Sequence, residues 1–267
     1  MNDFSGMRSR RSLGQVFLVN DKVASIEAAH ATGKTVLEIG PGQGILTRAL
    51  CSEAKKVIAV EKDFSLYTIL KHERIAKNLV LINKDFLDIT DSEIGLGKID
   101  IVISNIPYYL SSSVIGWLAE KNMQAVLCLQ KEFVEHMLAE PDTPSYSKLS
   151  VFTSLLFRVT KIISVPKGSF RPIPKVDSVV IYMKPTRKPL GKEESRLMGL
   201  IMQHKKKTVR NAIIDSRAQL GIDKEAASAL ADKAPYSDQR VFKLTPDRIL
   251  EIADGLRAMM SRPRRST

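Results

Sequence analysis

Cysteine is nearly missing from this chain: Cys51 and Cys128 are the only two in 267 residues. Two thiols cannot build a disulfide framework, and neither stands in metal-ligand spacing with a histidine, so both are expected as reduced core residues and no metal is expected. Long hydrophobic runs are missing too. No segment approaches the ~20 apolar residues of a membrane span. The basic residues between Met1 and Ser12 are not followed by an apolar run long enough for a signal peptide. A cytoplasmic protein without membrane attachment is expected. There is no internal repeat and no low-complexity segment.

Negative charge is in deficit. Against 41 Lys+Arg there are 29 Asp+Glu, a net +12, and the pI of about 9.7 points to a polyanionic partner. The excess is uneven. From Met183 onward there are 19 basic and 10 acidic residues, net +9, which leaves net +3 for residues 1–182. The rest of the composition, 44% hydrophobic and 26% charged, is that of an ordered globular protein. The length suits one large domain and one small one. The linker-like stretch Lys184–Leu190, rich in proline and basic residues, sets the boundaries expected: 1–185 and 186–267.

In the first of these, apolar strand patterns alternate with helical ones, the mark of an α/β fold with a parallel sheet. Four strand ends carry ligand-like residues. The first runs Thr35-Val36-Leu37-Glu38-Ile39 into Gly40-Pro41-Gly42-Gln43-Gly44, with a helix opening at Ile45. Closely spaced glycines there let the backbone approach a ligand. Glu38 suits a cationic ligand end such as an α-amino group, and would repel a pyrophosphate. The second strand, Val57–Val60, ends at Glu61, 21 residues past Gly40, where a carboxylate can hold a ribose diol. The third, Leu79–Ile82, leads to Asp85, an acceptor for an adenine amine, and Phe86, which can flank the ring. Taken singly, each acid reads better as a helix cap or a loop carboxylate. Together they describe a site for a nucleoside with a charged, non-phosphate tail.

The fourth strand end is Ser104-Asn105-Ile106-Pro107-Tyr108-Tyr109. Asn105 can accept a hydrogen bond from an exocyclic amine, the Ile106 carbonyl before Pro107 can accept the other, and Tyr108 offers a stacking face. A strand end closed by an Asn-Pro turn is the alternative. Upstream, Gln15 is free to bond a ligand from an arm that carries Arg8, Arg10 and Arg11. Downstream, Val159–Val165 and Val176–Met183 read as an antiparallel hairpin at a sheet edge. Their connection, Phe170-Arg171-Pro172-Ile173-Pro174-Lys175, holds Phe170 either as a second ring facing Tyr108 or as a buried anchor. Beyond the linker the patterns are helical, with a cationic run at Gln203–Asn211 whose Lys205, Lys206, Lys207 and Arg210 are candidates for phosphate contacts.

These motifs, in the order Leu13-Gly14-Gln15, Glu38–Gly44, Glu61, Asp85, Asn105–Tyr108, Gln130-Lys131-Glu132, Phe170–Ser178 and Lys206–Asn211, resemble those of the small-subunit ribosomal RNA adenine dimethyltransferase family. The resemblance runs from the arm to the start of the helical domain. It implies a Rossmann-like methyltransferase sheet plus a small helical domain that binds rRNA. It also implies S-adenosyl-L-methionine as the cofactor, touching Val16, Leu18, Gly40, Glu61, Asp85 and Asn105. The substrate it implies is N6 of two adjacent adenosines near the 3′ end of small-subunit rRNA, within a pre-30S-type particle. Nothing in the chain demands more than a monomer. Relatives often carry Asn or His at position 16, so Val16 is expected to reach the cofactor only through its backbone. The competing readings are a 23S rRNA adenine methyltransferase, a non-catalytic assembly factor and a DNA adenine methyltransferase.

Overall fold

The computed structural model describes residues 16–260. They divide into two compact units, one of residues 16–131 and 159–184, the other of residues 132–158 and 185–260.

The first unit opens with a two-residue strand, β1 (Phe17–Leu18), and α1 (Asp21–Ala28). Asn20 starts that helix by accepting from the N–H groups of Lys22 and Val23. Strand and helix then alternate: β2 (Thr35–Ile39), α2 (Ile45–Glu53), β3 (Lys56–Glu61), α3 (Phe64–Glu73), β4 (Leu79–Asn83), α4 (Asp91–Ile94), β5 (Ile101–Ser104), α5 (Ser111–Lys121) and β6 (Ala125–Gln130). After α6 (Lys131–Met137) and α7 (Lys148–Leu156) come β7 (Phe157–Val165), β8 (Phe170–Arg171) and β9 (Ser178–Pro185).

The sheet order is β4-β3-β2-β5-β6-β9-β7. β2 lies parallel to β3 and β5, with Val36 opposite both Val57 and Ile101, and β6 continues the parallel set beside β5. β9 enters antiparallel on β6, placing Val180 opposite Cys128. The expected edge pair of strands is present in β9 and β7. β2 and β5 are buried along their whole length, as strands covered on both faces must be. Chain order reverses between β2 and β5. The loops after these two strands therefore diverge and open a crevice at their carboxyl ends, the place where open α/β sheets take ligands.

The second unit is helical: α6 and α7, then α8 (Lys192–Gln203), α9 (Val209–Asp215), α10 (Arg217–Leu220), α11 (Lys224–Asp232) and α12 (Pro246–Met260). In α12, Ile249, Ile252, Ala253 and Leu256 are buried, an i, i+3, i+4, i+7 stripe. Tyr146 is fully buried and donates to the Leu244 carbonyl at 2.9 Å.

Two expectations need correction. The helical unit is not residues 186–267 alone, because the chain departs from the sheet after β6 and contributes α6 and α7 before β7 begins. Sequence order hides such an excursion, since α6 and α7 carry the same apolar periodicity as sheet-covering helices. The cationic run at Gln203–Asn211 is also not one continuous helix. α8 ends at Gln203, Lys205 to Lys207 form a turn, and Thr208 caps α9 by accepting from the Asn211 N–H.

Candidate active site

The crevice begins with glycines that no other residue can replace without strain. Gly40 and Gly42 sit at φ +68° and +56°, in the left-handed region. A Cβ on Gly42 would come within 2.8 Å of the Phe17 ring, and one on Gly40 within 3.3 Å of Pro107. Phe17 is held there because β1 pairs with β8, Leu18 opposite Phe170. On the far side of the switch point, Ser104 Oγ donates to the Ile39 carbonyl at 2.6 Å, in a fully buried bond. This bond staples the end of β5 to the end of β2 and sets Asn105 beside the glycine turn.

Acidic side chains line the strand ends. Glu38 is buried, its Oε2 has no hydrogen-bond partner, and burial pushes its pKa up to about 8, against a lowering from Thr47 and with a further push from Glu61. Glu61 Oε2 accepts from Gly42 N at 3.1 Å and Oε1 from Asp63 N at 2.8 Å, yet burial still raises its pKa. The Gly42 N–H is thus committed to a carboxylate instead of being offered to a phosphate. Asp85 accepts from Lys62 Nζ at 2.6 Å and from Leu87 N at 3.0 Å, and the Lys62 bond lowers its pKa. Phe86 is buried edge-on against Trp117, with ring centroids 5.2 Å apart.

The space between these groups is about 400 Å³, within the range of small-molecule sites. Val16, Leu18, Glu38, Gly40, Gly42, Glu61, Asp85, Phe86, Asn105 and Pro107 all line it. Of the cofactor residues expected from sequence, only Gln15 is not placed, because it lies outside the described residues, as do Arg8, Arg10 and Arg11. Asn105 Oδ1 is buried without a hydrogen-bond partner. An acceptor kept in that condition is costly unless something arrives to satisfy it.

The aromatic groups are arranged differently from the sequence expectation. Phe170 is 3% exposed and belongs to the core with Leu18, Val165 and Val180, so of its two readings it takes the buried anchor. The reason is its place in β8, directly opposite Leu18, which points the ring inward. Tyr108 is half-buried, its hydroxyl 3.1 Å from Ser178 Oγ. It is Tyr109, 61% exposed, that lines the crevice, together with Phe64, 68% exposed. Ile106 is buried. Sequence reasoning passed over Tyr109, Phe64, Lys62 and Ser178. A second tyrosine directly after Tyr108 was the available signal for the first of these.

In the helical unit the cationic candidates are mostly engaged. Lys205 Nζ donates to the carbonyls of Pro144 and Tyr146. Lys207 pairs with Asp215, and Arg210 with Asp232 and Ser228. Among the described residues no group of three or more His, Cys, Asp or Glu is placed to hold a metal. No helix there is long and apolar enough to cross a membrane.

A crevice at the sheet's switch point, lined by the carboxyls of Glu38, Glu61 and Asp85 and with the Gly42 amide committed to one of them, suits a nucleoside carrying positive charge. With the antiparallel β9 beside β6, fold and site together define the class of S-adenosylmethionine-dependent methyltransferases. The family model described as ribosomal RNA adenine dimethylase matches residues 6–245, and the chain belongs to that family. It is 38% identical to the probable ribosomal RNA small subunit methyltransferase A of Methanopyrus kandleri, over 96% of this chain and 95% of that protein. It is 37% identical to the protein of the same description from Thermococcus onnurineus, over 92% of each. Among solved structures, a dimethyladenosine transferase from Plasmodium falciparum superposes with a TM-score of 0.73 at 27% identity, covering 88% of this chain and 95% of that one. The 23S rRNA methyltransferase ErmE shares the fold, with a TM-score of 0.59 at 24% identity over 90% of this chain and 99% of its own.

Proposed function

We propose that this protein transfers methyl groups from S-adenosyl-L-methionine to N6 of two adjacent adenosines near the 3′ end of small-subunit rRNA, giving N6,N6-dimethyladenosine during subunit assembly. The observation that carries the reading is that Asn105, whose buried Oδ1 has no hydrogen-bond partner, lines the crevice with Gly40 and Glu61. The family and the names of the 38% and 37% identical relatives support the substrate.

The residues present fit the cofactor. The carboxyls offer partners for its cationic tail at Glu38 and its ribose hydroxyls at Glu61. Asp85 can accept the adenine amine once Lys62 yields, with Phe86 beside the ring. Val16 and Leu18 close the site from the arm. Bound there, the cofactor supplies an electrophilic methyl carbon on a sulfonium.

Everything else falls to this chain. Adenine N6 is a poor nucleophile because its lone pair is delocalised into the ring. Asn105 Oδ1 and the Ile106 carbonyl, accepting the two N–H bonds of the amine, draw the nitrogen towards tetrahedral geometry and localise that lone pair. Pro107 stiffens the turn that follows them. Holding nucleophile and methyl carbon in line contributes part of the ~7 to 11 kcal/mol that orientation can supply. Tyr108, fixed through its hydroxyl, offers a face to the extruded base, and Tyr109 stands at the mouth, where a stacked base is worth roughly 1 to 3 kcal/mol. The methylated nitrogen sheds its proton to solvent, so no strong base is needed. The product amine has one hydrogen left for two acceptors, which slows the second transfer relative to the first.

The helical unit supplies non-specific phosphate contacts, through Lys206 first, in a protein acting as a monomer on a cytoplasmic pre-30S-type particle. Incubation with labelled methyl donor and immature small subunits, large subunits or DNA tests the reading. Label confined to dimethyladenosine in the small-subunit rRNA is the expected result, and label in large-subunit rRNA or DNA alone would overturn it.

A further inference from the structure

Two lysines line the crevice, and their ammonium groups are used differently. Lys84 Nζ donates to both carboxylate oxygens of Glu93, on α4, at 2.8 and 2.9 Å. Lys62 Nζ donates to Asp85 Oδ2 at 2.6 Å. Lys62 thus occupies the carboxylate that the site offers to a base amine. The carboxylate itself is held from its other oxygen, since Asp85 Oδ1 accepts from Leu87 N at 3.0 Å and caps the turn Phe86–Asp88. The backbone of Lys62 is held as well: Asn83 Nδ2 donates to the carbonyls of Glu61 and Lys62, and Lys84 N donates to the Glu61 carbonyl. What remains free is the lysine stem, with 61% of the side chain exposed. Opening the pair therefore asks for the rotation of one side chain.

A carboxylate has room for several donors, so an amine and the ammonium can share Asp85 sterically. Electrostatics oppose the sharing. The amine hydrogens carry positive charge and are repelled by the ammonium, which also offsets the negative charge that would strengthen their bond to the carboxylate. An exposed ion pair contributes little to stability, so Lys62 yields at small cost, and that cost falls only on a ligand that needs Asp85. We propose that Lys62 is a latch at the base end of the cofactor site: it competes with a purine amine for Asp85 and so sets how tightly the site holds an adenosyl group against its 6-oxo counterpart. This role rests on the methyl-donor reading, in which Asp85 receives the adenine amine.

Calorimetric titration with S-adenosylhomocysteine and with S-inosylhomocysteine, which has an oxygen in place of the amine, tests it. Lys62→Met removes the ammonium and keeps the stem, and its melting temperature should stay near the parent's. The expected result is a Kd for S-adenosylhomocysteine at least threefold lower in Lys62→Met, with the Kd for S-inosylhomocysteine within twofold of the parent's. Lys62→Arg, which keeps a cation for Asp85, should match the parent with both ligands. Raising KCl from ~50 to ~500 mM screens the pair, so it should favour S-adenosylhomocysteine binding more in the parent than in Lys62→Met. A gain below threefold in Lys62→Met would overturn the proposal, as would an equal gain for the two ligands. Should Lys62→Met fail to fold, Lys62→Ala takes its place under the same criteria. A parent protein that binds neither nucleoside would instead count against the methyl-donor reading.

Discussion

The Tyr108 and Ser178 hydroxyls stand 3.1 Å apart. Seventy residues separate them in the chain, and each belongs to one of its two most specific motifs, Asn105-Ile106-Pro107-Tyr108 and Phe170 to Ser178. The antiparallel entry of β9 beside β6 brings them together: Ser178 opens β9 opposite Gln130 at the end of β6. The second motif therefore serves the first as a brace, fastening the tyrosine ring at its hydroxyl while Phe170 anchors the arm.

Ser178→Ala should leave the fold intact, costing about 0.5 to 1.5 kcal/mol for the lost hydrogen bond. The ring would no longer be fixed, so methylation should slow by several-fold while cofactor affinity holds. Tyr108→Phe should behave alike, since it breaks the same bond from the other side. Steady-state kinetics beside calorimetric binding read both. A parental rate for either variant means the brace is idle.

Gly42→Ala meets two obstacles at once. A non-glycine residue at φ +56° is strained by ~1 to 2 kcal/mol, and the added methyl collides with the Phe17 ring at 2.8 Å. The ring must shift to make room, which loosens the arm against the crevice. Cofactor affinity is expected to fall more than tenfold, with a lowered melting temperature. Unchanged affinity would show that the arm does not close this end of the crevice.

Glu27 and Glu38 have pKa values raised by burial from 4.5 to about 8. Between these limits the folded protein retains protons that the unfolded chain has released. Their contribution to stability is therefore complete below pH 4.5 and is lost as pH rises through about 8, by at most ~1.4 kcal/mol per pH unit for each group. Melting temperatures measured from pH 5 to pH 8.5 should fall more steeply for the parent than for the Glu27→Gln, Glu38→Gln double variant. Parallel curves would place both carboxyls in a more solvated setting.

Lys206 lies between two lysines already engaged within the protein. Lys206→Glu should weaken rRNA binding and reduce the slope of log K against log salt by about one, at a parental melting temperature. Lys205→Glu should lower the melting temperature instead, because that ammonium satisfies the Pro144 and Tyr146 carbonyls. Salt-titrated binding and thermal melts distinguish the two. A folded Lys205→Glu protein of parental stability would contradict the division.

Part of the crevice was legible in the sequence because some of its residues stand at or just after the end of an apolar strand, and strand ends in an open sheet converge without further information. Gly40, Glu61, Asp85 and Asn105 needed only that rule. What escaped depended on contacts between distant segments. The direction of the Phe170 ring is set by Leu18 across the β1–β8 pair, and the engagement of Lys205 by Tyr146, which sits in a segment that the sequence placed in the other domain. Glu27 escaped for a different reason. On a helix of alternating polarity a glutamate reads as a solvated residue, and only its burial exposes it as something else.

The central claim is that Asn105 Oδ1 accepts the amine of the target adenine, and single-turnover methylation of immature small subunits by Asn105→Ala tests it most directly. The side chain is removed while Gly40, Glu38 and Glu61 stay in place, so any loss of cofactor affinity should be far smaller than the loss of rate. The account predicts a rate of methyl transfer at least a hundredfold below the parent's, equivalent to about 2.7 kcal/mol of transition-state stabilisation. Methyl transfer by that variant at the parental rate would contradict it.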